Sequence, residues 1–232
     1  MKKSELKQLI KEVIKETKTQ VTKDAITENS NEETEEILEK LRISNYTINK
    51  DGTVDVDGDV VIEGTKVKKL PVKFNKVRGS FFCGGNKLTS LEGAPKTVGG
   101  YFNCSYNKLT SLEGAPKTVG GIFVCSYNKL ISLKGAPKTV GGDFHCGGNK
   151  LTSLKGAPKT VGGFYCGENE LTSLEGAPKT VGRDFYCSYN ELRSLVGGPE
   201  KVGGSYYCHK NPKQFTEDDV RAVTKVRGTI QV

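Results

Sequence analysis

Seven cysteines stand at positions 83, 104, 125, 146, 166, 187 and 208, spaced by 21 residues at every step except the 20 between Cys146 and Cys166. An asparagine follows each by three: Asn86, Asn107, Asn128, Asn149, Asn169, Asn190 and Asn211. One unit, read from Leu88, is L-T-S-L-E-G-A-P-K-T-V-G-G-Y-F-N-C-S-Y-N-K, and Pro95, Pro116, Pro137, Pro158, Pro178 and Pro199 keep its frame. A fixed period of this length signals a solenoid, in which each repeat buries its apolar side only against its neighbours. Weaker copies extend the frame, as Val56-x-Gly58-x-Val60-x-Ile62 before Cys83 and Val226-x-Gly228-x-Ile230-x-Val232 after Cys208.

The repeat explains an unusual composition. Only 35% of the 232 residues are hydrophobic, while 28 are glycine. In x-F-x-C, Phe and Cys share one strand face at period 2. Phe102 and Cys104, with Leu109, Leu112, Ala115 and Val119, are therefore expected to point into the coil. Successive coils would stack as parallel strands about 4.8 Å apart. The paired glycines allow sharp corners and close coil packing, and each asparagine is expected to hydrogen-bond backbone of its own turn and of a neighbouring coil. Tyr46–Ile48 and Thr53–Val56 read as a hairpin capping one end. At the other end a short helix replaces the proline turn, with Thr216 as N-cap, Asp219 closing a capping-box variant and Phe215 stapling to Val220. The expected fold class is a mainly β solenoid with a hairpin and helical N-cap and a short helical C-cap.

The pattern V-x-x-x-F-x-C-x-x-N-x-L-x-x-L resembles the leucine-rich repeat in its short bacterial form, with Cys at one consensus leucine position. G-A-P-K-T-V resembles the proline-containing part of those repeats, and N-K-L-T-S-L-E-G-A-P units are similar to those of uncharacterised repeat proteins of tailed bacteriophages. The resemblance spans roughly 51–232. It implies a leucine-rich-repeat-like solenoid whose exposed strand face is the concave binding face; its functional implication is weak, because function lives in sites grafted onto folds.

The first 45 residues are a different kind of sequence. Leu6, Leu9, Ile10, Val13 and Ile14 form an amphipathic stripe in a lysine-rich segment, giving an expected helical arm over 1–23. An acidic linker and second helix follow over 24–45, the helix starting near Ser30 with Glu33 in a capping box, and the solenoid with its caps occupies 46–232. The second helix is read as a cap on the solenoid, and the arm as a solvated, self-associating, docking or targeting segment. Ile10-Lys11-Glu12 and Ile14-Lys15-Glu16 resemble sites cut by phage prohead proteases.

Several chemistries are excluded by what is missing. No apolar run approaches the roughly 18 residues needed to span a bilayer, and Lys7, Lys11 and Glu12 interrupt any secretory h-region. The cysteines lack the paired spacing or nearby histidines of metal sites. As in-register neighbours they sit wider than disulfide geometry prefers, so they read as small buried hydrophobes of a reducing compartment. The chain has 2 histidines. His145 has Asp143 two residues back on the same strand face, but Cys146 points to the opposite face and no nucleophile is clearly placed beside the pair. No catalytic residue, metal or cofactor is expected.

Columns that vary between repeats carry the functional signal. Between Phe and Cys stand Phe82, Asn103, Val124, His145, Tyr165, Tyr186 and Tyr207; before Phe stand Tyr101, Asp143 and Asp184, among others; two past Cys stand Tyr106, Tyr127, Glu168, Tyr189 and Lys210, with Gly85 and Gly148 in the remaining coils. All three columns are expected to share the strand face, where Tyr among Ser, Gly and Asn makes an adaptable contact surface. The candidate partner-binding residues are Phe82, Tyr101, Tyr106, Tyr127, Asp143, His145, Tyr165, Asp184, Tyr186, Tyr189 and Tyr207. Two lysine ladders, Lys87, Lys108, Lys129 and Lys150, and Lys96, Lys117, Lys138, Lys159 and Lys179, are candidate anion-binding residues, against a net charge of +8. A host or phage protein is the expected partner, with nucleic acid on the lysine ladders, or a structural place in the virion, as alternatives. The expected setting is the host-cell cytoplasm or the virion, with the N-terminal helix as a route to oligomerisation.

Overall fold

The computed structural model describes residues 31–232. The expected helical arm, its protease-like motifs and the Ser30 cap lie outside the described residues. Helix α1 covers 31–40, seats a fully buried Leu38 and leads to the buried Ile43. Strand β1 (Tyr46–Ile48) pairs antiparallel with β2 (Val54–Val56), with Tyr46 opposite Val56. Asp51 closes the turn by accepting from the Thr53 N–H and hydroxyl. The expected hairpin cap is therefore formed.

From there every strand pairing is parallel and joins equivalent residues of successive coils. A nine-stranded sheet runs from Val60–Val61 through the six Phe-x strands and Tyr206–Tyr207 to Ile230–Gln231. The T-V segments form a second wall, divided into a six-stranded sheet that ends at Thr139–Val140 and a four-stranded sheet that begins at Thr160–Val161. The division falls where the period shortens to 20. One residue is absent between Val161 and Phe164 relative to Val140–Phe144, so the two strands no longer pair in register.

Side-chain columns fill the coil. Phe81, Phe102, Phe123, Phe144, Phe164 and Phe185 are fully buried, with neighbouring rings stacked at 5.1–6.0 Å between centroids. Burial of each contributes about 1.5–3 kcal/mol. The column ends in Tyr206, whose ring is tilted by 43° against Phe185. Its extra hydroxyl coincides with Gly198, where the other coils carry alanine; a Cβ there would lie 3.6 Å from the Tyr206 oxygen and 3.0 Å from Leu174. The leucine columns are buried from Leu88 to Leu195, whereas Ala115 at the proline corner is only half-buried.

The asparagines hold the coils together. Asn107 Nδ2 donates to the Cys104 and Ser105 carbonyls of its own turn and, at 3.0 Å, to the Cys83 carbonyl of the preceding coil. Its Oδ1 accepts from the Leu88 N–H at 2.9 Å. The same double link recurs from Asn86 to Asn211. Corner glycines have a separate cause: a Cβ on Gly120 or Gly141 would strike the carbonyl oxygen of the equivalent glycine one coil earlier. The far end closes as expected on helix α2 (Glu217–Arg221), with the reciprocal Thr216–Asp219 capping box formed and Phe215 and Val220 buried.

Candidate functional site

The nine-stranded sheet turns its Phe side chains inward and the intervening residues outward, so Phe82, Asn103, Val124, His145, Tyr165, Tyr186 and Tyr207 form one half-buried row. In its C-terminal half the row is continuously aromatic. The His145 and Tyr165 rings stack at 4.3 Å and 13°, and Tyr186 and Tyr207 lie 5.6 Å apart. In the N-terminal half the row is mixed, with Phe82 and Val124 on either side of Asn103, which bonds Glu63 at 2.9 Å.

The column two past Cys is placed differently from expectation. Tyr106, Tyr127, Glu168, Tyr189 and Lys210 adopt left-handed backbone with φ of 53–56°. They belong to the turn after the strand, the same turn that tucks each asparagine inward, and Gly85 and Gly148 occupy it in the other coils. The rings nevertheless extend the aromatic row. Tyr106 and Tyr127 stack at 4.6 Å, the Tyr127 ring covers Gly148, and the Glu168 charge pushes the Tyr127 phenol up. Tyr189 meets His209 edge-on at 5.4 Å. His209 also bonds Ser188 at 3.1 Å and meets Tyr186 edge-on at 5.9 Å, so it joins the face although the sequence columns did not include it.

The third column also departs from expectation. Tyr101 is exposed, but Asp143 is buried. The Asp143 carboxylate accepts from the Gly163 N–H and binds Arg183. Asp184 is half-buried and accepts from the Ser205 N–H at 2.7 Å. These carboxylates serve the corners of the coil before any partner. Sequence reasoning passed over Arg183, although its replacement of a corner glycine, in the coil after the shortened one, was the available signal.

Acid–base chemistry finds little support in this geometry. Burial pushes the His145 imidazole down, against the opposing pull of Asp143, and Arg183 adds to the lowering. The ring is neutral near pH 7 and stacked on Tyr165. All seven cysteines are free and buried, and burial pushes every thiol up, Cys208 to about 12. Among the described residues, no group of three or more His, Cys, Asp or Glu is gathered for a metal, and no helix is long and apolar enough to cross a membrane.

The two lysine ladders occupy different sides of the coil. Lys87, Lys108, Lys129 and Lys150 are exposed just after the asparagine turn, while Lys96, Lys117, Lys138, Lys159 and Lys179 are exposed at the mouth of the second wall.

No family model matches the sequence, and no curated protein is similar to it. Among solved structures, the chain is similar to the leucine-rich-repeat domain of a Shigella effector, at 18% identity and a TM-score of 0.55, over 74% of this chain and 81% of that one. The likeness is one of fold: this is a stacked parallel β-solenoid of leucine-rich-repeat type.

Proposed function

We propose that the chain is a non-enzymatic protein-binding module whose contact surface is the aromatic face of the nine-stranded sheet. The observation that carries this reading is the placement of His145, Tyr165, Tyr186 and Tyr207 at the same position of four successive coils, flanked by Tyr106, Tyr127 and Tyr189. Stacked aromatic side chains with few free torsions offer a large contact area at low entropic cost, and leucine-rich-repeat solenoids commonly bind proteins across an extended face. The resemblance of the repeat unit to tailed-bacteriophage repeats supports a phage origin, with the host cytoplasm or the virion as its setting. The N-terminal arm would serve as a docking or targeting segment.

The test starts with proteins retained by the full chain from host lysate, each then purified and titrated against the wild type and a Tyr165→Ala/Tyr186→Ala variant. At least about a tenfold loss of affinity is expected, since a buried interface tyrosine is worth about 2 kcal/mol or more. Unchanged affinity in a folded variant overturns the assignment of the face. Removal of residues 1–30 should leave that affinity intact while abolishing delivery to the virion or assembly.

A further inference from the structure

The second wall has a contrasting surface. From Lys96 to Lys179 each segment reads K-T-V-G without an acidic residue. The valines point inward, and the exposed surface consists of a lysine row, a threonine row and the corner glycines. Strand register continues the threonine row into Lys76 at one end and Lys201 and Lys225 at the other. The result is a strip, interrupted in its pairing between Thr139 and Thr160, whose large side chains are the lysines themselves and, over the Gly162 corner, Arg183.

A neighbouring column provides an internal control. Four residues before each lysine stand Glu92, Glu113, Lys134, Lys155 and Glu175, and this column is charge-balanced across coils, with Glu113–Lys134 and Lys155–Glu175 each at 3.1 Å. The lysine row on the strip is not balanced. Asp51 lies near Lys96 and Glu200 pairs with Lys179 at 3.3 Å, but Lys117, Lys138 and Lys159 have no ion pair among the described residues. Nothing in the fold requires lysine there, since the equivalent positions are Asn75 and Glu200 in the outer coils. Like charges stacked a strand spacing apart repel one another, and an external polyanion would relieve that repulsion.

We propose that this strip docks the phosphodiester backbone of duplex DNA. Three features select that occupant. Aromatic rings reach only the corner beside the strip, Tyr101 against Gly121 and Tyr165 against Gly163, and among the described residues none stands in its lysine or threonine rows, so those rows offer none of the base stacking that retains single strands. Apart from the lysines and Arg183, the side chains of its rows are too short to reach the 2′-hydroxyls across the minor groove of an RNA duplex. Lysine ammonium groups with adjacent threonine hydroxyls are the donors used for sequence-independent phosphate contacts. The rows of the aromatic face lie on the other wall, so one molecule could hold DNA and a protein partner on different walls.

Fluorescence anisotropy of the full chain with a labelled random-sequence DNA duplex tests the proposal. A Lys117→Glu/Lys138→Glu/Lys159→Glu variant should weaken binding at least about tenfold and reduce the slope of log K against log salt by about 3, as three lost phosphate contacts require. The matching glutamine variant should also weaken binding, by less. A Lys108→Glu/Lys129→Glu/Lys150→Glu variant changes net charge equally on another side and should bind within about threefold of wild type. Circular dichroism confirms that each variant is folded. Equal losses in the two glutamate variants overturn the strip, because net charge alone would then explain binding. Preference for single strands, duplex RNA, an acidic peptide or anionic vesicles, or no binding at low salt, overturns the choice of DNA.

Discussion

Arg183 reaches back across an entire coil to Asp143, with Nη2 2.7 Å from Oδ1. The coil between them is the one that lacks a residue. Where Val140-Gly141-Gly142-Asp143-Phe144 turns its corner with a residue to spare, Val161-Gly162-Gly163-Phe164 has none. The Asp143 carboxylate fills the space by accepting from the Gly163 N–H, and the guanidinium closes over it, beside the point where a Gly162 side chain would begin. One deletion is thereby repaired by two substitutions in flanking coils.

Asp143 and Arg183 should consequently be coupled. The Asp143 side chain is 12% exposed and the Arg183 side chain 58%, so the acid carries more of the cost. Asp143→Ala is expected to destabilise by about 2–3 kcal/mol, because the Gly163 N–H and the guanidinium both lose a partner. Arg183→Gly, which restores the repeat consensus, should still destabilise by about 1 kcal/mol, with a coupling of about 0.5–2 kcal/mol in the double-mutant cycle. Urea denaturation measures all four. A stabilised Arg183→Gly protein would show that the bridge repairs nothing.

The asparagine ladder gives a sharper contrast. Asn149 Nδ2 donates to the Cys125 and Cys146 carbonyls, both at 3.1 Å, while Oδ1 accepts from the Leu130 N–H. A carboxylate there would set negative oxygen against carbonyl oxygen in a buried site, so Asn149→Asp should cost about 3 kcal/mol or more at pH 7. The same environment raises the pKa of the new acid in the folded state. Stability is therefore recovered as pH falls below that raised value, whereas Asn149→Ala should show no such recovery. Urea midpoints at pH 5 and pH 8 separate the two.

Alkaline pH should destabilise this protein unusually steeply. Burial holds all seven thiols protonated, with Cys208 pushed up to about 12 and the others well above the ordinary range. The unfolded chain releases those protons near pH 8.5. Above that value the unfolded state binds fewer protons, and each thiol removes up to about 1.4 kcal/mol of stability per pH unit. Urea midpoints between pH 8 and pH 10 should fall sharply, and replacing Cys125 and Cys146 with alanine should make the dependence shallower. The native thiols should also resist a disulfide reagent at pH 8. A flat profile with rapid thiol labelling would place the cysteines outside the core.

What could be read in advance follows from whether a side chain repeats. The inward columns were legible because each coil presents the same Phe, Cys, Leu and Asn to the same neighbours, so periodicity alone implies the contacts. The outward residues are fixed by no such repetition. Alternation along x-F-x-C placed Tyr165 and Tyr186 correctly, but carried Tyr106, Tyr127 and Tyr189 onto the strand when a left-handed turn had already begun. Asp143 looked like an exposed column member because its burial depends on a deletion one coil later and an arginine two coils later. His209 was not among the candidate residues because it stands one position past Cys208, outside the three varying columns, and only the fold brings it edge-on to Tyr186 and Tyr189.

The deletion leaves a final signature in the corner glycines. A Cβ on Gly141 would collide with the Gly120 carbonyl oxygen, whereas one on Gly182 would lie 3.6 Å from its nearest neighbour, the Val161 carbonyl oxygen. Both residues open a G-x corner after valine, and the sequence gives no reason to distinguish them. The shortened coil beneath Gly182 has drawn its backbone away, leaving room for a methyl group. Gly141→Ala should therefore cost about 1–3 kcal/mol or more, as overpacking against rigid backbone does. Gly182→Ala should be neutral or stabilise by up to about 1 kcal/mol, through the reduced freedom of the unfolded chain. Equal losses at the two positions in thermal or urea denaturation would contradict the local retreat of the coil.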